Sequence, residues 1–117
     1  MKRKNKVGLV QINNSFSGQN YFPYSVGLLQ VYALKNSKKI DDFEFLLPIY
    51  KRIKIDDAIM QLNDTEIVVF SSYVWNIRLS LKIAEELKVN NPDTTIIFGG
   101  PQVPDRPEIF LRENPFI

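Results

Sequence analysis

Two short runs hold the residue types in this chain that could do chemistry. Ser71-Ser72-Tyr73 and then Trp75-Asn76 bring hydroxyls, a phenol, an indole and a carboxamide close together. Farther on, Gly99-Gly100-Pro101 offers backbone free of side chains, along which something large can lie. A serine nucleophile needs a base, and the chain has no histidine and no Gly-x-Ser-x-Gly element. The serines therefore read as hydrogen-bonding groups for a phosphate or an amide, with Ser72 as a plain helix cap the bland alternative. Tyr73 and Trp75 fit a ligand, or serve as aromatic plugs. Without cysteine or histidine, the chain supplies no thiolate and lacks the commonest metal ligand and general base. No catalytic or metal-ligating residue is assigned.

The elements that must position these residues alternate. Val7 to Ile12 reads as a buried first strand, and Asn13 to Tyr21 as a polar loop rich in Asn, Ser and Gly. Pro23 suits the first turn of a helix running to about Lys35. That helix would bury Val26, Leu29 and Ala33, or the neighbouring Leu28, Val31 and Tyr32. Its interior Gly27 costs up to about 1 kcal/mol relative to alanine, so it signals close packing, a ligand or simple tolerance. Phe43 to Leu47 is a second strand, near a sheet edge because Pro48 ends it. Ile55, Ile59 and Leu62 recur at helical spacing. Glu66 to Ser71 is the third strand. Val74, Ile77, Leu81, Ala84 and Leu87 form the stripe of a long third helix, and Thr94 to Phe98 is the fourth strand. Asp105, Pro107 and Glu108 spell a capping box for a last short helix that Asn114-Pro115 ends.

Strand and helix alternate four times, which calls for a doubly wound α/β domain with a parallel sheet. The two runs then sit at the carboxyl ends of neighbouring strands, where such sheets bind ligands. The 117 residues read as one domain, stopping where a fifth strand would begin, as if part of something longer.

Charge and composition narrow the partners. The net charge is +2, but four of the fifteen basic residues fall in the first six positions; the remainder has eleven against thirteen acidic. A basic end of this kind reads as solubilising, and no basic stripe suggests nucleic acid. No run is long enough to span a membrane, and Val7 to Ile12 is too short for a signal core, so a cytoplasmic protein is expected. Neither a Gly-x-Gly-x-x-Gly nor a Gly-Lys-Ser/Thr element is present, which removes the usual dinucleotide and P-loop sites. The serines at the end of the third strand replace the aspartate of a phospho-acceptor domain.

Val69-Phe70-Ser71-Ser72-Tyr73-Val74-Trp75-Asn76, the long helix after it and Phe98-Gly99-Gly100-Pro101 together resemble the amino-terminal cobalamin-binding domain of cobalamin-dependent radical SAM enzymes. Phe22 to Leu28 resembles the start of that family's first helix, and Glu108-Ile109-Phe110 with Asn114-Pro115 its approach to a fifth strand. The resemblance covers nearly the whole chain. It implies a flavodoxin-like, Rossmann-like sheet of order 2-1-3-4, the fifth strand being truncated, that holds a corrinoid. It also implies a downstream barrel with a [4Fe–4S] cluster bound by three cysteines and S-adenosylmethionine, which this cysteine-free chain cannot contain.

By the same resemblance, Ser72 stands near the nucleotide tail, Asn76 replaces a threonine, and Gly99 and Gly100 form the wall against which the tail lies. Ser71, Tyr73, Trp75 and Pro101 complete that crevice, and the first loop, with Asn13 and Ser15, lies beneath the corrin ring. The departure is in that loop. Methionine-synthase-like domains carry Asp-x-His-x-x-Gly there, and without it cobalt cannot be ligated by a histidine of this chain. Alternatives are a flavodoxin-type flavin carrier or a cofactor-free α/β interaction domain. Truncation would also leave the fourth strand as an edge open to self-association.

Overall fold

A computed structural model describes residues 3 to 117. Met1 and Lys2, part of the basic end, lie outside the described residues. The chain runs β1 (Asn5–Val10), β2 (Ser15–Phe16), β3 (Gln19–Asn20), α1 (Tyr24–Asn36), β4 (Phe43–Phe45), α2 (Ile55–Leu62), β5 (Ile67–Ser71), α3 (Ile77–Asn90), β6 (Thr95–Gly99) and α4 (Glu108–Glu113). Four strands form one parallel sheet in the order β4-β1-β5-β6. Counting only these four, this is the flavodoxin-like order 2-1-3-4.

The two faces of the sheet are covered unequally. Val10, Ile12, Val68, Phe70 and Ile96 point to one side, where α2 and α3 supply Ala58, Leu62, Ile83, Ala84 and Leu87 to the main core. Phe98 stacks on Phe70 with centroids 4.7 Å apart and meets the edge of Phe110 from α4. On the other side a smaller cluster of Val7, Leu9 and Val26 is backed by Phe43, Phe45, Ile67 and Val69. Among the described residues only α1 covers this face, and Ile97 on β6 remains 46% exposed.

Several local expectations are corrected. The loop Asn13 to Tyr21 contains a small antiparallel hairpin, β2–β3, turned by Ser17 and Gly18, both at positive φ. Two consecutive positive φ values give the hairpin turn whose twist matches its strands. Of the α1 residues expected inside, Val26 is buried, whereas Leu28, Leu29, Val31 and Tyr32 are all at least half exposed. Leu47 and Pro48 interrupt the second strand without ending its pairing: Ile49 N donates to Leu9 O, and Gln11 N to Ile49 O. The third helix begins at Ile77, and its buried stripe is Ser80, Ile83, Ala84 and Leu87, with Val74 exposed on the preceding turn. The Asp105 capping box does not form, since α4 starts after Pro107 with no side-chain cap.

At the opposite end of the sheet, two basic residues of the amino-terminal run are paired. Arg3 bridges Asp64 and Glu66, and Lys6 reaches Asp64. The Arg3 hydrogen bond, helped by Lys6, holds the Asp64 carboxyl below its ordinary range, and Arg3 is raised in turn. These groups are well exposed, so the cluster tethers the end of β1 only weakly and is screened by salt.

Candidate functional site: the carboxyl edge and the crevice beside α1

Strands β1 and β5 lie side by side although their connections leave in opposite directions, so their carboxyl ends define the topological switch point. The side chain that fills it is Asn76, only 1% exposed. Its Nδ2 donates to Ile12 O at 2.9 Å and Ser71 O at 3.0 Å, and its Oδ1 accepts from Tyr73 N at 2.7 Å. Both donors of the amide and one lone pair of its oxygen are taken by main chain, so the buried Asn76 clips the two strand ends together rather than facing a ligand.

Ser72 has a similar fate. It is fully buried, and both its N and its Oγ donate to Gly99 O, at 2.8 and 2.7 Å. Its carbonyl accepts from Gln102 N, so the loop after β6 folds back over it. It does not cap α3. Gly100 has φ +96°, and a Cβ there would fall 2.5 Å from Ser72 O. Glycine is required at this position by the chain's own backbone. Gly99 differs: a Cβ on it would meet nothing within 4 Å. Pro101, next in the loop, is exposed.

The open space lies on the α1 side of β5 and β6. It is a crevice of about 1040 Å³ with Val69 and Ile97 on its floor and Leu28, Leu29 and Tyr32 of α1 along one wall. Ser25, Ser71, Tyr73, Gly99 and Gly100 stand at its carboxyl-edge end. Ser25 Oγ and Tyr73 OH share a hydrogen bond of 2.7 Å. Lining of this kind, mostly apolar with hydroxyls gathered at one end, is what a ligand with a flat apolar portion and a polar portion requires.

Above the sheet, Tyr73 stacks on Trp75, the rings 4.7 Å apart and 9° from parallel. The Trp75 indole N–H points to Asn13 Oδ1 at 3.4 Å, and Asn13 Nδ2 to Tyr21 O at the same distance. Asn13 thus stands under the stacked pair, joining it to the end of the hairpin, while Ser15 is exposed on β2. The structure brings Asn13, Ser71, Tyr73, Trp75, Gly99 and Gly100 to one region, keeps Ser72 and Asn76 beneath it as supports, and leaves Ser15 and Pro101 on its outskirts.

Sequence reasoning missed three contributors. Gln11, buried at the end of β1, accepts from Val26 N at 3.1 Å and fixes the first turn of α1. Ser25 has no role in the sequence reading, and the α1 wall residues Leu28, Leu29 and Tyr32 are read there as core-facing; the signal is the helix's own composition, apolar on both flanks. Arg52 at the carboxyl edge carries no local motif and became visible only through the fold. Among the described residues there is no cluster of three or more His, Cys, Asp or Glu that could hold a metal, and no helix long and apolar enough to cross a membrane.

No protein-family model matches the chain. It is 30% identical over 97 residues to 2-(S-pantetheinyl)-carbapenam-3-carboxylate methyltransferase of Streptantibioticus cattleyicolor, covering 83% of this chain and 14% of that protein. It is likewise 30% identical over 105 residues to the cobalamin-dependent radical SAM methyltransferase TokK of Streptomyces tokunonensis, covering 87% of this chain and 15% of that one. The chain therefore spans about one seventh of the length of the curated relatives it matches. Over most of its own length, the chain is homologous to a part of the cobalamin-dependent radical SAM methyltransferases.

Proposed function

We propose that this domain binds cobalamin, with the nucleotide tail of the corrinoid laid into the crevice between α1 and the β5–β6 side of the sheet. The observation that carries the reading is that crevice itself: about 1040 Å³, mostly apolar, with glycine and hydroxyl groups at the carboxyl edge and Lys35 and Asn36 also in its lining. The residues fit the group. Val69, Ile97, Leu28 and Leu29 offer an apolar slot for a benzimidazole, and Gly99 leaves room where any side chain would intrude. Ser25, Ser71 and Tyr73 offer hydroxyls to the polar part of the tail. The corrin ring would then rest over the carboxyl edge, near Asn13 and the Tyr73–Trp75 pair.

Cobalamin, when bound, supplies the chemistry of its cobalt. The residues of this chain bind and orient it, and none is assigned a catalytic step. Cysteine ligands for an iron–sulfur cluster, and a site for S-adenosylmethionine, would come from other parts of a longer protein, in line with the small share of the relatives that this chain matches. The flavin alternative draws less support, because a hairpin occupies the place of a phosphate-binding loop after β1.

Titrating the protein with hydroxocobalamin and following visible absorbance tests the proposal. A saturable change to the spectrum of cobalamin with its benzimidazole off the cobalt is expected. A spectrum identical to free cobalamin at saturating protein overturns it, and flavin binding under the same conditions would favour the alternative.

A further inference from the structure

The segment after β4 does more than return the chain to α2. Its backbone pairs with the end of β1, Ile49 O accepting from Gln11 N and Tyr50 O from Asn13 N, each at 2.9 Å. Two residues on, the Arg52 side chain reaches across the carboxyl edge. Its Nη2 donates to Asn14 Oδ1 at 2.9 Å and to Trp75 O at 2.8 Å. One guanidinium thereby ties the loop after β1 to the turn after β5, the two segments that carry Asn13 and the Tyr73–Trp75 stack.

The restraints within that turn fall on Tyr73: its N donates to Asn76 Oδ1, its O accepts from Asn76 N and Ile77 N, and its hydroxyl bonds Ser25 Oγ. Val74 and Trp75, 72% and 42% exposed, are held less. The indole contact to Asn13, at 3.4 Å, is long for a hydrogen bond. The Arg52 bonds are shorter and charge-assisted, the stronger class. Arg52 makes no ion pair among the described residues, so no carboxylate competes for its donors.

We infer that Arg52 is a positioning residue of the cofactor site: it clamps the Tyr73–Trp75 turn onto the first loop and holds the mouth of the crevice in shape before a ligand arrives. Its effect on binding rests on the cobalamin reading, whereas the clamp rests on the geometry of Arg52, Asn14 and Trp75 alone. Pre-ordering of this kind strengthens binding by removing the cost of ordering the turn upon association.

Trp75 is the only tryptophan, so intrinsic fluorescence reports on the clamped turn directly. In the ligand-free protein, Arg52→Ala is expected to red-shift the emission and raise the acrylamide quenching constant, with circular dichroism and the urea midpoint unchanged. Arg52→Lys should restore part of the protection, since one ammonium on a flexible stem does not reproduce the planar fork. With hydroxocobalamin, Arg52→Ala should bind about threefold to tenfold more weakly, the scale of an exposed charge-assisted hydrogen bond or two. Unchanged emission and quenching in Arg52→Ala overturn the clamp. Altered emission with unchanged cobalamin affinity overturns the positioning role. If the unsubstituted protein leaves the cobalamin spectrum unchanged, the cobalamin reading falls, and the fluorescence comparison still decides the clamp.

Discussion

At the scale of single residues, adjacent positions that look alike in sequence do different work. Gly99 and Gly100 form one pair in the chain, yet Gly100 is required by a backbone at φ +96° packed against Ser72, whereas Gly99 faces open space. Their substitutions should separate cleanly. Gly100→Ala is expected to destabilise the fold by at least about 1–3 kcal/mol, measured by urea unfolding, because the methyl meets rigid main chain in a strained conformation. Gly99→Val should leave stability nearly unchanged but weaken hydroxocobalamin binding by roughly one to two decades, the same about 1–3 kcal/mol now appearing as obstruction of the tail. Tight binding by a folded Gly99→Val protein would mean the tail lies elsewhere. Ser72 and Asn76 carry the same lesson: polar residues at a ligand-prone edge, both buried and committed to the backbone.

At the scale of elements, α1 is the unusual one. It is apolar on both flanks, yet only Val26 within it is fully buried. A surface helix normally pairs an apolar stripe with a polar face. Here one flank forms the wall of the crevice with Leu28, Leu29 and Tyr32, and the other forms a second groove of about 580 Å³ with Phe22, Leu34, Pro48 and Tyr50. Gly27 lies at the edge of that groove, and a Cβ on it would only touch Phe22 at an ordinary 3.7 Å. Close packing therefore does not explain this glycine. Gly27→Ala is expected to stabilise the protein by about 0.5–1 kcal/mol through helix propensity, seen as a higher urea midpoint at constant slope. A loss of stability would mean that the groove is tighter than its van der Waals contacts indicate.

At the scale of the molecule, β6 is an edge of the four-stranded sheet, short, apolar and without charge or proline. Thr95 N donates to Glu66 O and Gly99 O accepts from Ser72 N, so alternate residues turn their backbone toward β5. By that alternation Ile96 and Phe98 turn theirs outward. Antiparallel pairing of two copies would exchange four hydrogen bonds between Ile96 of one and Phe98 of the other, with the exposed Ile97 side chains meeting at the twofold. Concentration-dependent dimers are expected by light scattering. Ile97→Lys should yield a monomer with the same circular dichroism, by placing like charges at the centre of the pair. A protein that stays monomeric up to its solubility limit would show that this edge is already protected.

The elements and their order were legible in the chain because they rest on local rules. Apolar runs bounded by polar punctuation gave the strands, and helical spacing gave the helices. The alternation of the two constrains a doubly wound sheet, since a parallel crossover must be right-handed and short. The residues at the carboxyl ends of the third and fourth strands could therefore be named as a candidate site. Which of them face a ligand was not legible. Ser71 and Ser72 are neighbours of one type, and alternation along a strand sends one into the crevice and the other beneath Gly99. The Arg52 contact spans 38 positions to Asn14 and 23 to Trp75, and the Asn76 clip spans 64 to Ile12. No local pattern encodes such pairs, because each exists only once four strands have come into register. The crevice is likewise a property of coverage: one helix lies on a face whose width is set by four strands, and the uncovered remainder is visible only in three dimensions.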